Sequence, residues 1–200
     1  MTARTILPGI GHNSSIAVGT GFRKYAWKRA RKELISARVP LEIVRIRVRR
    51  AQELGLAYPQ YASILLGSGR DITGFLFTVG GLQLRLRRQL EIPDHVRAKF
   101  GALQRVDRLV LSPHGEAADA FREELEAVTA TTISAAAPEP DSTASWGAAR
   151  DAVLALLKPL KLPRDAVVMV GADGHDDDWA GAAHLAGFIA SQDFFRPQTP

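Results

Sequence analysis

The densest group of reactive side chains is GADGHDDDW, where Asp173, His175, Asp176, Asp177 and Asp178 crowd six residues directly after the apolar run AVVMVG. Clustered carboxylates can hold a divalent cation and, through it, a phosphate. A plainer chemistry competes. Acids in the first turn of a helix complement its dipole by about 0.3–1 kcal/mol each, and Asp is among the best N-caps. The run ahead of WAGAAHLAGFIA therefore also reads as a capped helix start. His175 and His184 do not share a helical face by simple turn spacing, which weakens a zinc site built on both.

Ser112 and His114 fall in SPHGE, where a strand hands over to a helix, the usual ligand edge of an α/β sheet. Backbone N–H groups there can bind an anion, with His114 as acid or base. There is no paired nucleophile and base, no Gly-x-Ser-x-Gly elbow and no His-Glu-x-x-His. Arg70 and Asp71 read as a charged corner ahead of a strand.

The broadest signal is charge. Residues 1–108 hold 20 of the 26 Lys and Arg but 7 of the 21 acids, and residues 109–200 hold the other 6 and 14. Arg23, Lys24, Lys28, Arg29, Arg45, Arg47, Arg49 and Arg50 would neutralise phosphates along a nucleic acid, with Tyr25 and Trp27 available to stack. Within this half AQELGLAYPQYASILL is spaced like a helix-turn-helix pair. Gly55 would sit at the turn, and Gln60, Tyr61 and Ser63 on the second, groove-facing helix. The same split also describes halves that attract one another, within or between chains.

These residues depend on the elements that carry them. Residues 1–21 lack any helical period and read as a flexible arm. FRKYAWKRARKELISAR, residues 22–38, is a cationic amphipathic helix. Pro40 opens a second helix that runs to a Gly55 C-cap, and a short third starts near Pro59 and stops at Gly67 and Gly69. ITGFLFTV is a strand. GGLQLRLRRQL alternates like a hairpin but also spaces Leu82, Leu86 and Leu90 four apart. The helix is the expectation, since it makes a strand-turn-helix unit like those downstream. Pro93 to Gln104 is a helix, and RVDRLVLS is a strand. Ser112-Pro113 caps and opens the helix EAADAFREELEAV. Residues 129–145 form a low-complexity loop. WGAARDAVLALLKPL is a helix, AVVMVG a buried strand, and the acid-headed segment a final helix. Strands separated by helices predict an α/β fold, a Rossmann-like parallel sheet layer with a basic helical N-terminal arm. The expected divisions are 1–21, a basic helical region over 22–70, and an α/β domain over 71–200. The chain has no cysteine, hence no disulfide or thiolate chemistry. No apolar run nears the roughly 18 residues of a membrane span, and no secretory leader is visible, so a cytoplasmic protein is expected.

VVMVGADGHDDDWAGAAHLAGFIA resembles the last motif of the haloacid dehalogenase superfamily. There a hydrophobic strand ends in Gly-Asp, and a second acid follows before an Ala/Gly-rich helix. The resemblance implies Mg²⁺ held by Asp173 together with Asp176 or Asp177, with Asp173 and Asp177 the preferred pair. It also implies a phosphate-binding strand end at Ser112, with His114 beside it, and the family's lysine at Lys158 or Lys161. The first motif departs. FLFTVGGL places Thr78 and Gly80 where the family has its nucleophilic Asp and the next Asp, although Gly81 matches. Without the nucleophile, covalent phosphoryl transfer has no attacking group. At the other end, GIGHNSS resembles a short N-terminal tag of uncharacterised alphaproteobacterial proteins and implies no activity.

The expectation is a non-catalytic binding or regulatory protein that needs no cofactor and whose Arg/Lys-rich helices contact an anionic partner, nucleic acid first. One alternative is a haloacid dehalogenase-like phosphate-handling enzyme using Mg²⁺, or its inactive relative. The other is an assembly protein joined through oppositely charged halves.

Overall fold

Phe75 and Phe77 face one side of the first strand and Leu76 the other, and this period of two fixes where the two cores lie. The computed structural model describes residues 39–86, 90–141, 143–172 and 174–196. The helix expected over 22–38, with Arg23, Lys24, Lys28 and Arg29, lies outside the described residues, and so does Asp173.

Helix α1 (Leu41–Glu53) turns at the left-handed Gly55 into α2 (Tyr58–Ser68), which the left-handed Gly69 ends. Strand β1 (Gly74–Phe77) follows, then a two-stranded antiparallel hairpin of β2 (Arg85–Leu86) and β3 (Leu90–Glu91). Next come α3 (Asp94–Ala102), β4 (Asp107–Ser112), α4 (Ala118–Thr129), β5 (Ala135–Pro138) and α5 (Trp146–Leu157). The chain continues through β6 (Val167–Gly171), α6 (Gly174–Ala182), β7 (Gly187–Ala190) and α7 (Ser191–Phe194). Five strands pair in parallel in the order β5-β4-β1-β6-β7. Counting parallel strands along the chain, this is 3-2-1-4-5, the order of a doubly wound α/β sheet. The fold is thus α/β and Rossmann-like, as expected.

Helices cover both faces, which is why β1, β4 and β6 read as nearly unbroken apolar runs. On one face Phe75, Phe77, Val110, Val168 and Val170 meet α1 to α4 and α7. Phe100 and Phe194 pack edge-on against Phe77 and Phe75, each pair at 5.1 Å between centroids. On the other face Leu76, Leu109 and Met169 meet α5 and α6. Ala51, Leu54 and Tyr61 belong to the first core, so the helices from Val39 onward are part of the α/β unit rather than a separate basic region.

Four local expectations are corrected. GGLQLRLR is a turn and hairpin, not a helix, because Gln83 sits at φ 53 and breaks any helical path. Ser112-Pro113 is not a helix start. The helix begins at Ala118 behind an uncapped Ala117, and the Ser112 hydroxyl donates to the Glu116 carbonyl instead. The loop over 129–145 contains β5, whose three alanines have no contrast of polarity to reveal a period. The final Ala-rich segment is two elements: His184, at φ 54, ends α6, and GFIA becomes β7.

One detail of β5 bears on the site. The Ser134 N–H donates to the Arg108 carbonyl at 2.8 Å, and the Glu139 N–H donates to the Ser112 carbonyl at 2.9 Å. Between these bonds β4 advances four residues and β5 five. The extra residue falls at Pro138, which has no N–H to continue the ladder.

Candidate functional site

Sheet order reverses at β1, with β4 on one side and β6 on the other, and ligands of such sheets bind beyond the carboxyl ends of the strands at that point. A cleft of about 410 Å³ opens there. Thr78 and Gly80 enter it after β1, His114 after β4, Glu139 and Asp141 after β5, and Ala172, His175, Asp176 and Trp179 around the start of α6.

The floor is a closed polar bridge. The Thr78 hydroxyl donates to Asp176 Oδ2 at 2.8 Å, and the Ala172 N–H donates to the same oxygen at 2.7 Å. The Gly81 N–H donates to Thr78 Oγ1 at 2.9 Å. Thr78 is 1% and Asp176 6% exposed, so these bonds satisfy groups that would be costly to bury alone. Glycines make the room. A Cβ on Gly171 would lie 2.4 Å from Asp176 Oδ2, and one on Gly81 would lie 2.1 Å from the Val170 carbonyl oxygen. At the mouth, Glu139 Oε1 accepts from the Val79 N–H at 2.9 Å. The N–H groups of Val79 and Ala172 are donors of the kind that face an anion at this sheet edge. Here the chain's own carboxylates take them.

The lining is acidic as well. Glu139, Asp141 and Asp176 contribute carboxylates, and among the described residues no Lys or Arg lines the cleft. Asp141 is held below the ordinary carboxylate range, first by the Thr143 hydroxyl, then by the Thr143 N–H, with His114 adding a smaller effect.

Among the described residues, which leave out Asp173, this donor set does not fit the Mg²⁺ that the resemblance implies. The first-motif positions offer a hydroxyl and Gly80, and a side chain on Gly80 would begin 2.7 Å from the Ala172 Cβ. Asp177, the preferred ligand, is exposed and outside the lining, while the neighbouring Asp176 turns inward and spends one oxygen on two donors. Among the described residues no three His, Asp or Glu are grouped to hold a metal. Of the other candidates, His114 lines the cleft but Ser112 is fully buried and tied to Glu116. Lys158 is exposed just past the end of α5, where the chain leads to the start of β6, the edge of the sheet away from the cleft. Glu139, Asp141 and Trp179 were not singled out in the sequence. The one signal for Glu139 was a short apolar stretch, ISAAAP, broken by proline and followed by acid.

The basic residues also divide. Arg50 Nε donates to Asp71 Oδ2 at 2.8 Å and Arg50 Nη1 to Glu53 Oε2 at 3.2 Å. Its remaining bonds go to the carbonyls of Ile72, Gln104 and Arg105. Tyr61 is buried and donates to Asp71 Oδ1 at 3.0 Å. Burial, with the Asp71 carboxylate adding to it, pushes this phenol up to about 12. Arg50 and Tyr61 are therefore held by bonds within the fold, to Asp71, Glu53 and backbone carbonyls. Of α2, the helix expected to face a groove, Pro59 and Gly67 are exposed and Gln60 and Ser63 are half-buried. Arg45 and Arg49 are exposed on α1, and Arg47 is half-buried.

No protein-family model matches this chain, and no curated protein does. Fold and cleft define the class: an α/β protein with a Rossmann-like parallel sheet. No helix among the described residues is long and apolar enough to cross a membrane.

Proposed function

We propose that this protein is a non-catalytic binding or regulatory protein that contacts an anionic partner, nucleic acid first, through its Arg/Lys-rich front half. The observation that carries the reading is the state of the cleft. A phosphoryl-transfer site needs a nucleophile and groups that stabilise negative charge. Here the nucleophile's place belongs to Thr78, whose hydroxyl is spent on Asp176, and carboxylates occupy the anion-facing N–H groups. The resemblance to the haloacid dehalogenase superfamily then describes an inactive relative, a frame without its chemistry. The positive charge lies elsewhere, with 12 of the 26 Lys and Arg in residues 1–50 against two acids.

Protein freed of contaminating nucleic acid is expected to be retained by DNA or RNA at low salt and released steeply as salt rises. Absence of retention at low salt removes the reading. A phosphatase screen with Mg²⁺ is the complementary measurement. Turnover that disappears in Asp176→Asn would restore the enzymatic alternative. A mass in solution that falls with salt and no added partner would favour assembly between oppositely charged halves.

A further inference from the structure

The edge of the sheet opposite the cleft carries a second concavity, a groove of about 560 Å³ walled by Ile46, Arg49, Arg50, Tyr61, Asp71 and Arg105. Three guanidiniums face one carboxylate. Arg50 is a fixture of the groove, since its donors are committed to Asp71, Glu53 and three carbonyls. Two of those carbonyls belong to Gln104 and Arg105, and they hold Arg105 at φ 53, a left-handed backbone that a non-glycine residue keeps only when its surroundings impose it. The result is an arginine held in place at the rim.

Arg45, Arg49 and Glu53 stand at four-residue steps on α1 and so form one line, with about 6 Å between steps. By sequence the third step is negative. In the fold Arg105 lies on the Glu53 carboxylate and holds it ionised, below the ordinary Glu range, through their hydrogen bond. Glu53 is 15% exposed and Arg105 69%, so the surface at this step is cationic. The line therefore presents a guanidinium at all three steps, with Arg45 sharing an exposed pair with Glu42 at 3.5 Å and Arg105 standing over the Glu53 carboxylate. A small dianion would meet one or two of these cations, whereas a chain of regularly repeated phosphates meets them all. Guanidinium forks also suit phosphate oxygens.

We propose that Arg45, Arg49 and Arg105 form a track for the phosphodiester backbone of a nucleic acid, with the groove taking the phosphate between Arg49 and Arg105. The proposal rests on the nucleic acid reading above and names where the folded unit touches the polymer. Each phosphate contact contributes about 0.9 to the slope of log affinity against log salt on duplex DNA, or about 3.5-fold between 50 and 200 mM. Arg49→Ala and Arg105→Gly are each expected to lower that slope by about one, while Arg150→Ala, an exposed arginine on α5, leaves it unchanged. Glycine at position 105 accepts the left-handed backbone, and thermal melting of each variant confirms that the fold is kept. Retention with an unchanged slope in both variants overturns the track and leaves nucleic acid binding standing. No retention of the wild type overturns both. Displacement by polyglutamate as effective as by polyphosphate of equal charge overturns the phosphodiester assignment in favour of an acidic protein.

Discussion

Replacing Thr78 with Val removes one oxygen and keeps the shape of the side chain, so it isolates the polar bridge under the cleft. Two losses follow. Asp176, 6% exposed, loses a donor from the Thr78 hydroxyl, and hydrogen bonds to charged groups contribute about 1.5–3 kcal/mol. The Gly81 N–H loses its acceptor at the same buried spot, which costs about 1–3 kcal/mol. No cavity opens, so the total is about 3–5 kcal/mol. At about 2–4 °C per kcal/mol for a domain of this size, the melting temperature should fall by roughly 6–20 °C. Urea unfolding should give a lower midpoint with an unchanged slope. Thr78→Ser keeps the hydroxyl and loses one methyl, so it should cost about 1 kcal/mol. A double-mutant cycle with Asp176→Asn should give a coupling above 1 kcal/mol. A Thr78→Val variant within about 0.5 kcal/mol of wild type, or an equally damaging Thr78→Ser, would refute the role of the bridge.

Arg50→Met should cost about 3–5 kcal/mol, because it takes from Asp71 its ion-pair partner, leaving the Tyr61 and Ile72 donors, and removes the guanidinium donor of three carbonyls, whereas Arg45→Ala should cost under about 0.5 kcal/mol; equal effects in chemical denaturation would refute the distinction. Restoring the family's acids with Thr78→Asp and Gly80→Asp should yield no Mg²⁺-dependent phosphatase activity. It should destabilise the fold, since one carboxylate meets Asp176 and the other side chain meets the Ala172 methyl. Carboxylates forced together titrate upward, so the lost stability should return at acid pH and disappear as pH rises through the raised value; a pH-independent deficit in melting temperature would count against the pairing. In a spectrophotometric titration, one of the three tyrosines should ionise at about 12. Its neutral form is favoured by the fold, so stability should hold below pH 10 and decline between 10 and about 12; ionisation of all three near 10 would contradict the burial of Tyr61.

Strands β1, β4 and β6 were legible because burial on both faces demands continuous apolar runs, and GFLF, DRLVLS and VVMVG supply them. The edge strands AAAP and GFIA carry small residues that serve strand, loop or helix alike, so their pairing was decided by neighbours and not by their own pattern. LQLRLR satisfied two periods at once, and a turn packed against the Val170 carbonyl settled it. The cleft was visible as an acidic stretch, but which acid turns inward depends on the residue at which α6 begins. One position decides between Asp176 and Asp177. Glu139 reaches Val79 across 60 residues, and Arg50 reaches Asp71 across 21, so no local spacing could reveal either. The basic front half reads as one surface in sequence, but its described residues hold both scaffold and exposed charge, a difference that burial alone makes.

Pro138 has a consequence for the cleft that its own chemistry would not suggest. Its missing N–H leaves the Ser112 carbonyl to the next residue, and that shift by one is what brings Glu139 beside the end of β1. With an N–H at position 138 the regular pairing would continue one residue further, and the glutamate would be counted to a different place. The seal at the mouth is therefore metered by the backbone: a pyrrolidine ring sets the reading frame of an edge strand against its neighbour, and the carboxylate arrives by count rather than by attraction.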